Sequence, residues 1–133
     1  MTAPALALRR AVVAALLADP ILSDALSGVF DGPPARVRYP YVELADGSST
    51  DWSSKTSTGR EHGLVINIWD DAEEGGVRLL ELMGAVETAI GAMPQTLEGH
   101  RIASLTFLRS RLVRNPGGQW AGIVQFRVRT IQT

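Results

Sequence analysis

The stretch VRYPYVELADGSSTDWSSKTSTGREHGLVINIWD, residues 37–70, carries the pattern on which the fold prediction depends. Two runs typical of β-strands, Val37–Leu44 and Gly63–Trp69, stand at its ends. They enclose a connection of about eighteen residues rich in Ser, Thr, Gly and Asp, although a plain hairpin needs only a few. Connections of this length in small domains are usually functional or disordered. We therefore expect a long loop over residues 45–62 that reaches beyond the sheet.

The two strands differ in the surroundings that their residues predict. Gly63–Trp69 has apolar side chains on both faces, which is typical of a central strand. In Val37–Leu44, Pro40 has no N–H to donate to a neighbouring strand, which favours an edge strand or a strand that pairs on one side only at Pro40. An edge strand is a natural docking place for another subunit. Tyr39, Pro40 and Tyr41 are therefore candidate assembly contacts.

Before this stretch, apolar residues recur at helical spacing from Leu6 to Leu17. The helix should end near Ala18, because Pro20 disfavours helical geometry in the residue before it. A short helical turn can follow and end at Gly28.

After the stretch, a second apolar stripe from Leu79 to Met93 predicts another helix. Asp70 or Asp71 is the expected N-cap. Gly75 and Gly76 disfavour a helix, so either the helix starts after them or their backbone lies close to another group.

The C-terminal residues predict a β-hairpin with arms Ile102–Val113 and Trp120–Ile131. The alternation of the first arm slips between Phe107 and Leu112, which indicates a β-bulge. The full order is α-β-β-α-β-β. It predicts an α+β fold, a mainly antiparallel four-stranded sheet with two helices packed on one face and a long loop between strands 1 and 2. We expect a single domain over residues 1–133.

Composition excludes several classes of protein. With 45% hydrophobic and 20% charged residues among 133, the chain has a globular balance. No apolar run approaches the roughly 20 residues that span a bilayer, so no membrane partner is expected. The chain contains no cysteine, which excludes a disulfide framework and a thiolate site. Arg9 and Arg10 interrupt the apolar start, so we expect a structured helix there and a protein made in a bacterial cytoplasm.

Charge is distributed unevenly along the chain. No acidic residue follows Glu98, whereas six arginines do. Uneven charge of this kind marks either a contact face for nucleic acid or an acidic partner, or pairing between the basic end and the acidic middle of the same chain.

No residue pattern predicts catalytic, cofactor-binding or metal-binding residues. His62 and His100 lack the spacing of a metal site. The sequence gives no support for a catalytic triad of Ser53, His62 and Asp51, because no GxSxG motif accompanies them. The glycines form neither a Walker nor a dinucleotide motif. The residues thus predict a non-enzymatic assembly or binding domain.

Trp52 is the one large apolar side chain of the long connection. It either folds back on its own domain or anchors a partner, since Trp is enriched among interface hot spots. Lys55 and Arg60 are its basic companions and further candidate assembly contacts.

Several motifs in order resemble one protein family. YPYV, DWSSKT, a Gly-Arg-Glu-His lead into LVINIWD, a helix beginning EEGG and the hairpin RLVRNPGGQWAGIVQFRVRT cover nearly the whole chain. Together they resemble the tail-terminator or tail-completion family of long-tailed phages and gene transfer agents. The compact form looks most like a gene-transfer-agent version.

The resemblance implies a structural protein that forms a homo-oligomeric ring, usually hexameric, at the head-proximal end of the tail tube. Such a ring ends tube polymerisation, contacts the tail tube protein and the stopper or head-completion protein, and lets DNA pass in transit through its lumen. It implies no catalytic residues. After assembly in the cytoplasm, the protein would lie at the head–tail junction of the released particle.

Two hypotheses about contacts follow. The first places Trp52 and Lys55 in a contact with the neighbouring subunit or with the tube. The second places Arg109, Arg111, Arg127 and Arg129 against DNA or an acidic partner. Protein contacts are favoured for most of these arginines, since a tight grip on DNA would hinder its passage.

Other roles remain as alternatives. The nearest is another connector component, a stopper or adaptor, or a minor tail protein. More distant ones are a small hydrolase that uses the Ser-rich loop and a regulatory module that binds a small ligand.

Overall fold

Three helices and seven strands make up the fold in a computed structural model that describes residues 2–133. The helices are α1 (Pro4–Ala18), α2 (Pro20–Ala25) and α3 (Val77–Gly91). The strands are β1 (Val29–Asp31), β2 (Tyr41–Leu44), β3 (Ser48–Asp51), β4 (Gly59–Asp70), β5 (Thr96–Leu97), β6 (His100–Arg114) and β7 (Trp120–Gln132).

All strands join one mixed sheet in the order β1-β2-β4-β7-β6-β5, with β3 paired to β4. The pairings are antiparallel except between β1 and β2, which are parallel. The predicted four-stranded α+β sheet with two helices is therefore wrong. The fold is mostly β and contains a third helix, α2. The additional strands are two to four residues long, too short to show the periodicity on which the prediction relied.

Strand β2 is not an edge strand, contrary to the expectation from Pro40. Strand β1 covers its outer side, with Val29 opposite Val42. Pro40 itself precedes β2 and is buried, and its carbonyl accepts a hydrogen bond of 2.9 Å from the Ser27 amide. The missing N–H of Pro40 therefore falls outside the paired part of the strand.

The predicted long loop contains a second hairpin. Strand β4 begins at Gly59, four residues before the predicted start at Gly63, and β3 pairs with this extension from Ser48 opposite Gly63 to Asp51 opposite Arg60. Only residues 52–58 form the turn, which we call the hairpin tip. The connection is therefore mostly ordered by strand pairing.

Helices α1 and α3 cover one face of the sheet. The α1 side chains of Val12 and Leu16 are fully buried, as are Ile66 of β4 and Val124 of β7. Helix α3 lies mainly over β7. A Cβ at Gly122 would come within 2.6 Å of the Met83 sulfur, so glycine at this position permits the close approach of the helix.

Helix α3 starts at Val77, after the two glycines, which is one of the two alternatives predicted from Gly75 and Gly76. No side chain forms a capping hydrogen bond at its N-terminus. The expected cap from Asp70 or Asp71 is wrong, because Asp70 is the buried last residue of β4. A Cβ at Gly76 would come within 2.8 Å of a Leu112 methyl, so the helix start also lies close to β6.

The long β6–β7 hairpin contains irregularities between Ile102 and Ser104 and between Phe107 and Arg109. The second one confirms the predicted bulge, and it leaves Leu108 without a partner residue on β7. Beyond its short pairing with β5, β6 forms the outer edge of the sheet.

Candidate assembly surfaces

Trp52 lies at the start of the hairpin tip and packs against its own domain. The guanidinium of Arg129 lies 5.1 Å from the centre of the Trp52 ring, within the range of a cation–π interaction. The Trp52 amide donates to the Gly59 carbonyl at 2.9 Å. Even so, 38% of Trp52 remains exposed. The side chain therefore folds back on the sheet and still offers ring surface to a partner.

Gly59 sets the position of the hairpin tip. A Cβ at this residue would lie 2.5 Å from the Trp52 carbonyl oxygen and 3.0 Å from the Thr130 carbonyl oxygen. Both atoms belong to backbone, which cannot move aside cheaply. Only glycine lets β4 pass between the tip and β7 at this distance.

The two basic companions of Trp52 are both exposed. Arg60 donates a hydrogen bond of 3.3 Å to Ser49 across the β3–β4 pairing. Lys55 lies in the middle of the hairpin tip. Trp52, Lys55 and Arg60 thus belong to one hairpin.

Tyr39, Pro40 and Tyr41 lie at the start of β2, away from that hairpin. The rings of Tyr39 and Tyr41 are 5.5 Å apart, and Phe30 of β1 meets Tyr41 edge-on at 6.1 Å. Burial raises the pKa of the Tyr41 hydroxyl above its ordinary value, and the neighbouring Tyr39 and Glu43 add to this effect. Tyr39 also lines a shallow depression with Asp71, Glu73, Arg114 and the turn at residues 117–119. The two groups of candidate contacts are therefore separate surfaces.

The sheet face that the helices leave uncovered carries both polar and apolar side chains, and we call it the open face. It carries alternate residues of β4 and β7, including Asn67, Gln125, Arg127 and Arg129, between buried ones. Glu61 of β4 accepts a hydrogen bond of 2.9 Å from Arg129 and lies 4.0 Å from Arg127. The Arg127 Nε is buried and has no hydrogen-bond partner among the described residues.

The four arginines predicted as partner contacts fall into two pairs. Arg127 and Arg129 share Glu61, so part of the basic C-terminal end does pair with an acid earlier in the chain. Arg109 and Arg111 of β6 are exposed, and within residues 2–133 neither forms an ion pair. Arg109 donates instead to the side chain of Gln125. Pairing within the chain thus accounts for Arg127 and Arg129, and a contact of Arg109 and Arg111 with a partner stays a prediction.

An ion pair that the sequence did not predict joins the end of β4 to the first turn of α3. Arg78 donates through Nε to the Asp70 Oδ2 at 2.9 Å and through Nη2 to Oδ1. Burial alone would raise the pKa of Asp70. The hydrogen bonds and charge of Arg78, with the Asp71 and Ala72 amides, instead hold it below the ordinary value. The partner lies eight residues away across an irregular turn, a spacing that no helix or strand pattern contains.

The two histidines, His62 and His100, are buried and each lies within hydrogen-bond distance of a residue on another part of the chain. The Nε2 of His62 lies 2.9 Å from the Thr130 hydroxyl, and that of His100 lies 2.9 Å from the Thr2 carbonyl. Burial, with help from the charges of Arg60 and His100, lowers the pKa of His62. Ser53 instead donates to Asp51 at 2.7 Å. His62 is therefore not the base of a triad with these two residues.

Exposed apolar side chains mark a surface that sequence reasoning missed. Phe107, Leu108 and Leu112 of β6 are 44%, 52% and 37% exposed, and Val77 and Leu80 of α3 are 62% and 53% exposed. The contact of Leu112 with Gly76 joins the two elements. In the sequence these residues look like core, and those of β6 are exposed because α3 lies mainly over β7 and covers β6 only in part.

None of the helices in the described part of the chain is long and apolar enough to cross a membrane. Over the same residues, no group of three or more histidine and acidic side chains is arranged to hold a metal ion.

Known proteins of similar sequence or structure indicate the family of this chain. No curated protein sequence matches the chain. A chain of the "Virion of native gene transfer agent (GTA) particle" superposes with a TM-score of 0.78 at 29% identity, over 98% of this chain and 99% of that one. The "Structure of bacteriophage SPP1 gp17 protein" shares the fold, with a TM-score of 0.65 at 23% identity over 92% and 88% of the two chains. The family model described as "Tail completion protein gp17" matches residues 10–131, and the chain therefore belongs to this family.

Proposed function

We propose that this protein is the tail terminator of a phage-like particle, most similar to a gene transfer agent. Its subunits form a ring at the head-proximal end of the tail tube, with six subunits as the resemblance implies. The ring ends tube polymerisation, joins the stopper or head-completion protein, and leaves a lumen for DNA in transit. The observation that carries the proposal is the match to a gene-transfer-agent virion chain over nearly the full length of both chains.

The surfaces described above suit such a role. A ring built from one kind of contact needs two different faces on each subunit. The hairpin with Trp52, Lys55 and Arg60 offers one exposed surface, and the β6 edge with α3 offers another. Arg127 and Arg129 are already paired with Glu61, so Arg109 and Arg111 are the arginines with charge to offer an acidic partner protein. The protein would act at the head–tail junction after assembly in the bacterial cytoplasm.

Deletion of the gene in a strain that produces particles tests the role. Loss of a terminator leaves overlong tubes, because nothing stops the addition of tube subunits. Full heads without attached tails, together with tubes of normal length, would instead indicate a stopper or adaptor. Tubes of normal length attached to heads would indicate a minor tail protein. Electron microscopy of particles distinguishes these outcomes, and expression of the gene from a plasmid should restore normal tails.

A further inference from the structure

The outer edge of β6 is the longest unpaired strand edge in the described chain. Strand β5 and the Gln95 carbonyl cover β6 only as far as Ile102, and no strand within residues 2–133 pairs with the outer side from Ala103 to Arg114. Proteins usually protect such edges with charged side chains or proline. This edge carries exposed arginines, and beside them it exposes the apolar side chains of Phe107, Leu108 and Leu112. An open edge with exposed apolar side chains is a ready site for another chain.

The charges of this edge indicate what kind of surface can dock there. Arg109, Arg111 and Arg114 lie along the same strand, and neither β6 nor β7 contains an acidic residue. Pairing of two β6 edges would set these arginines against one another, and like charges on facing strands are destabilising. The docking surface must therefore be a different one, both apolar and acidic.

Such a surface exists on the same chain, where α1 meets α2. Leu17 and Ile21 are 51% and 63% exposed, and they stand next to the turn between the two helices. Asp24 is exposed, lies one helical turn after Ile21, and forms no ion pair within the described residues. Helix α1 packs on β1, which is the strand at the other end of the sheet order. We call this surface the α1–α2 corner.

We propose that the β6 edge of one subunit binds the α1–α2 corner of a second copy of this chain. Leucine and phenylalanine side chains of the edge pack on Leu17 and Ile21, and Arg114, which lies on the same face of β6 as Leu112, meets Asp24. A contact between two different surfaces repeats from subunit to subunit and closes into a ring when the angle allows. The inference rests on the proposed function, because it takes a ring of identical subunits as the assembled form.

Cysteine cross-linking tests the contact with little background, since the chain has no cysteine of its own. Particles are assembled with Ile21→Cys/Leu108→Cys as the only copy of the protein and treated with a short bismaleimide. An immunoblot should then show a ladder that extends beyond the dimer. A mixture of the two single variants should give dimers and nothing larger, because each chain carries one reactive surface. Each single variant alone should give no product.

The control pair is Leu6→Cys/Leu108→Cys. Leu6 is exposed on the same helix but lies about 16 Å along its axis from Leu17, so no ladder is expected. If Leu108→Cys does not enter particles, Leu112→Cys takes its place on the same edge.

Three results would overturn the proposal. Dimers from Leu108→Cys alone would show that two β6 edges meet. A cross-linked product with the combined mass of this chain and another particle protein would show that the β6 edge binds that other protein. Absence of any product from particles that contain normal amounts of the double variant would exclude the contact. Tube length after gene deletion tests the proposed function separately, so a normal ladder with no overlong tubes, or the reverse, shows which of the two has failed.

Discussion

The carboxylate of Asp70 and the guanidinium of Arg78 form a paired contact that joins the last residue of β4 to the first turn of α3. The Asp70 side chain is 1% exposed, whereas that of Arg78 is 47% exposed. The buried carboxylate therefore depends on one cationic partner from the solvent side, while the Asp71 amide donates a further hydrogen bond of 2.8 Å. This contact fixes α3 over β7, beside the β6 edge.

Replacement of Arg78 with Ala should destabilise the fold, because it leaves a buried carboxylate without its partner. Loss of one member of a fully buried pair costs about 3–5 kcal/mol. Since Arg78 is half exposed and water screens the pair, we expect about 2 kcal/mol. Urea unfolding measures the change. Arg10→Ala is the control, because Arg10 and Glu98 are both largely exposed at 3.7 Å and their pair should contribute little. Equal effects of the two variants would contradict the importance of Asp70.

The same pair predicts a dependence of stability on pH. The pKa of Asp70 is lowered in the folded state, so the unfolded chain takes up a proton first as the pH falls. The stabilisation is complete above the ordinary pKa of about 4 and is lost as the pH falls through the lower folded value. Asp70→Asn should be less stable than the wild type at pH 7, and the difference should shrink below about pH 4. A constant difference from pH 7 to pH 3 would contradict this.

The lowered pKa of His62 predicts a second dependence of stability on pH, in a higher pH range than that of Asp70. Its folded pKa is lowered, so the native state holds it neutral while the unfolded state is protonated below about pH 6.5. Stability from this group is present above that value and is lost as the pH falls through the lower folded value. His62→Gln retains a hydrogen-bonding side chain beside Thr130 and cannot titrate. Its unfolding free energy should fall less between pH 7 and pH 5 than that of the wild type, as measured by urea unfolding at each pH.

The long elements could be predicted from the sequence, and the short ones could not. The β6–β7 hairpin, its bulge near Leu108 and the core stripe of α3 follow from periodicity over ten or more residues. Strands β1 and β3 depend on pairing with distant residues, which a run of three or four residues does not show. Pro40 misled because its position relative to the paired part of β2 decides its effect.

The candidate site divides in the same way. Residues such as Trp52 and Arg109 could be singled out because their types are unusual in their surroundings. Leu108 and Leu80 could not, because nothing in the sequence distinguishes an exposed leucine of a strand or helix from a buried one. Their exposure depends on where α3 lies across the sheet, and this is a tertiary property.

Gly59→Ala should displace the hairpin tip, because its Cβ would lie 2.5 Å from a backbone oxygen. Overpacking of this kind typically costs about 1–3 kcal/mol. Gly84→Ala is the matched control, since Gly84 lies within α3 with no atom within 4 Å of the added Cβ. The control should raise stability by up to about 1 kcal/mol, because alanine favours a helix. Thermal unfolding compares the two, and a stable Gly59→Ala chain would contradict the close approach.

Trp52→Ala separates folding from assembly. The ring is 38% exposed, and its main intrachain contact is the cation–π interaction with Arg129, which contributes about 0.5–1 kcal/mol at an exposed site. The isolated chain should therefore unfold at nearly the wild-type temperature. If Trp52 anchors a neighbouring subunit or the tube, its loss should abolish assembly at the tail, because interface tryptophans often dominate binding energy.

Thr56→Ala is the control for Trp52, because it changes an exposed residue of the same hairpin tip without removing an aromatic ring. Electron microscopy of particles that carry each variant measures tail length. Overlong tubes with Trp52→Ala and normal tails with Thr56→Ala are the expected pair of results. Normal tails with both variants would contradict an assembly contact at Trp52 and leave the contact with Arg129 as its role.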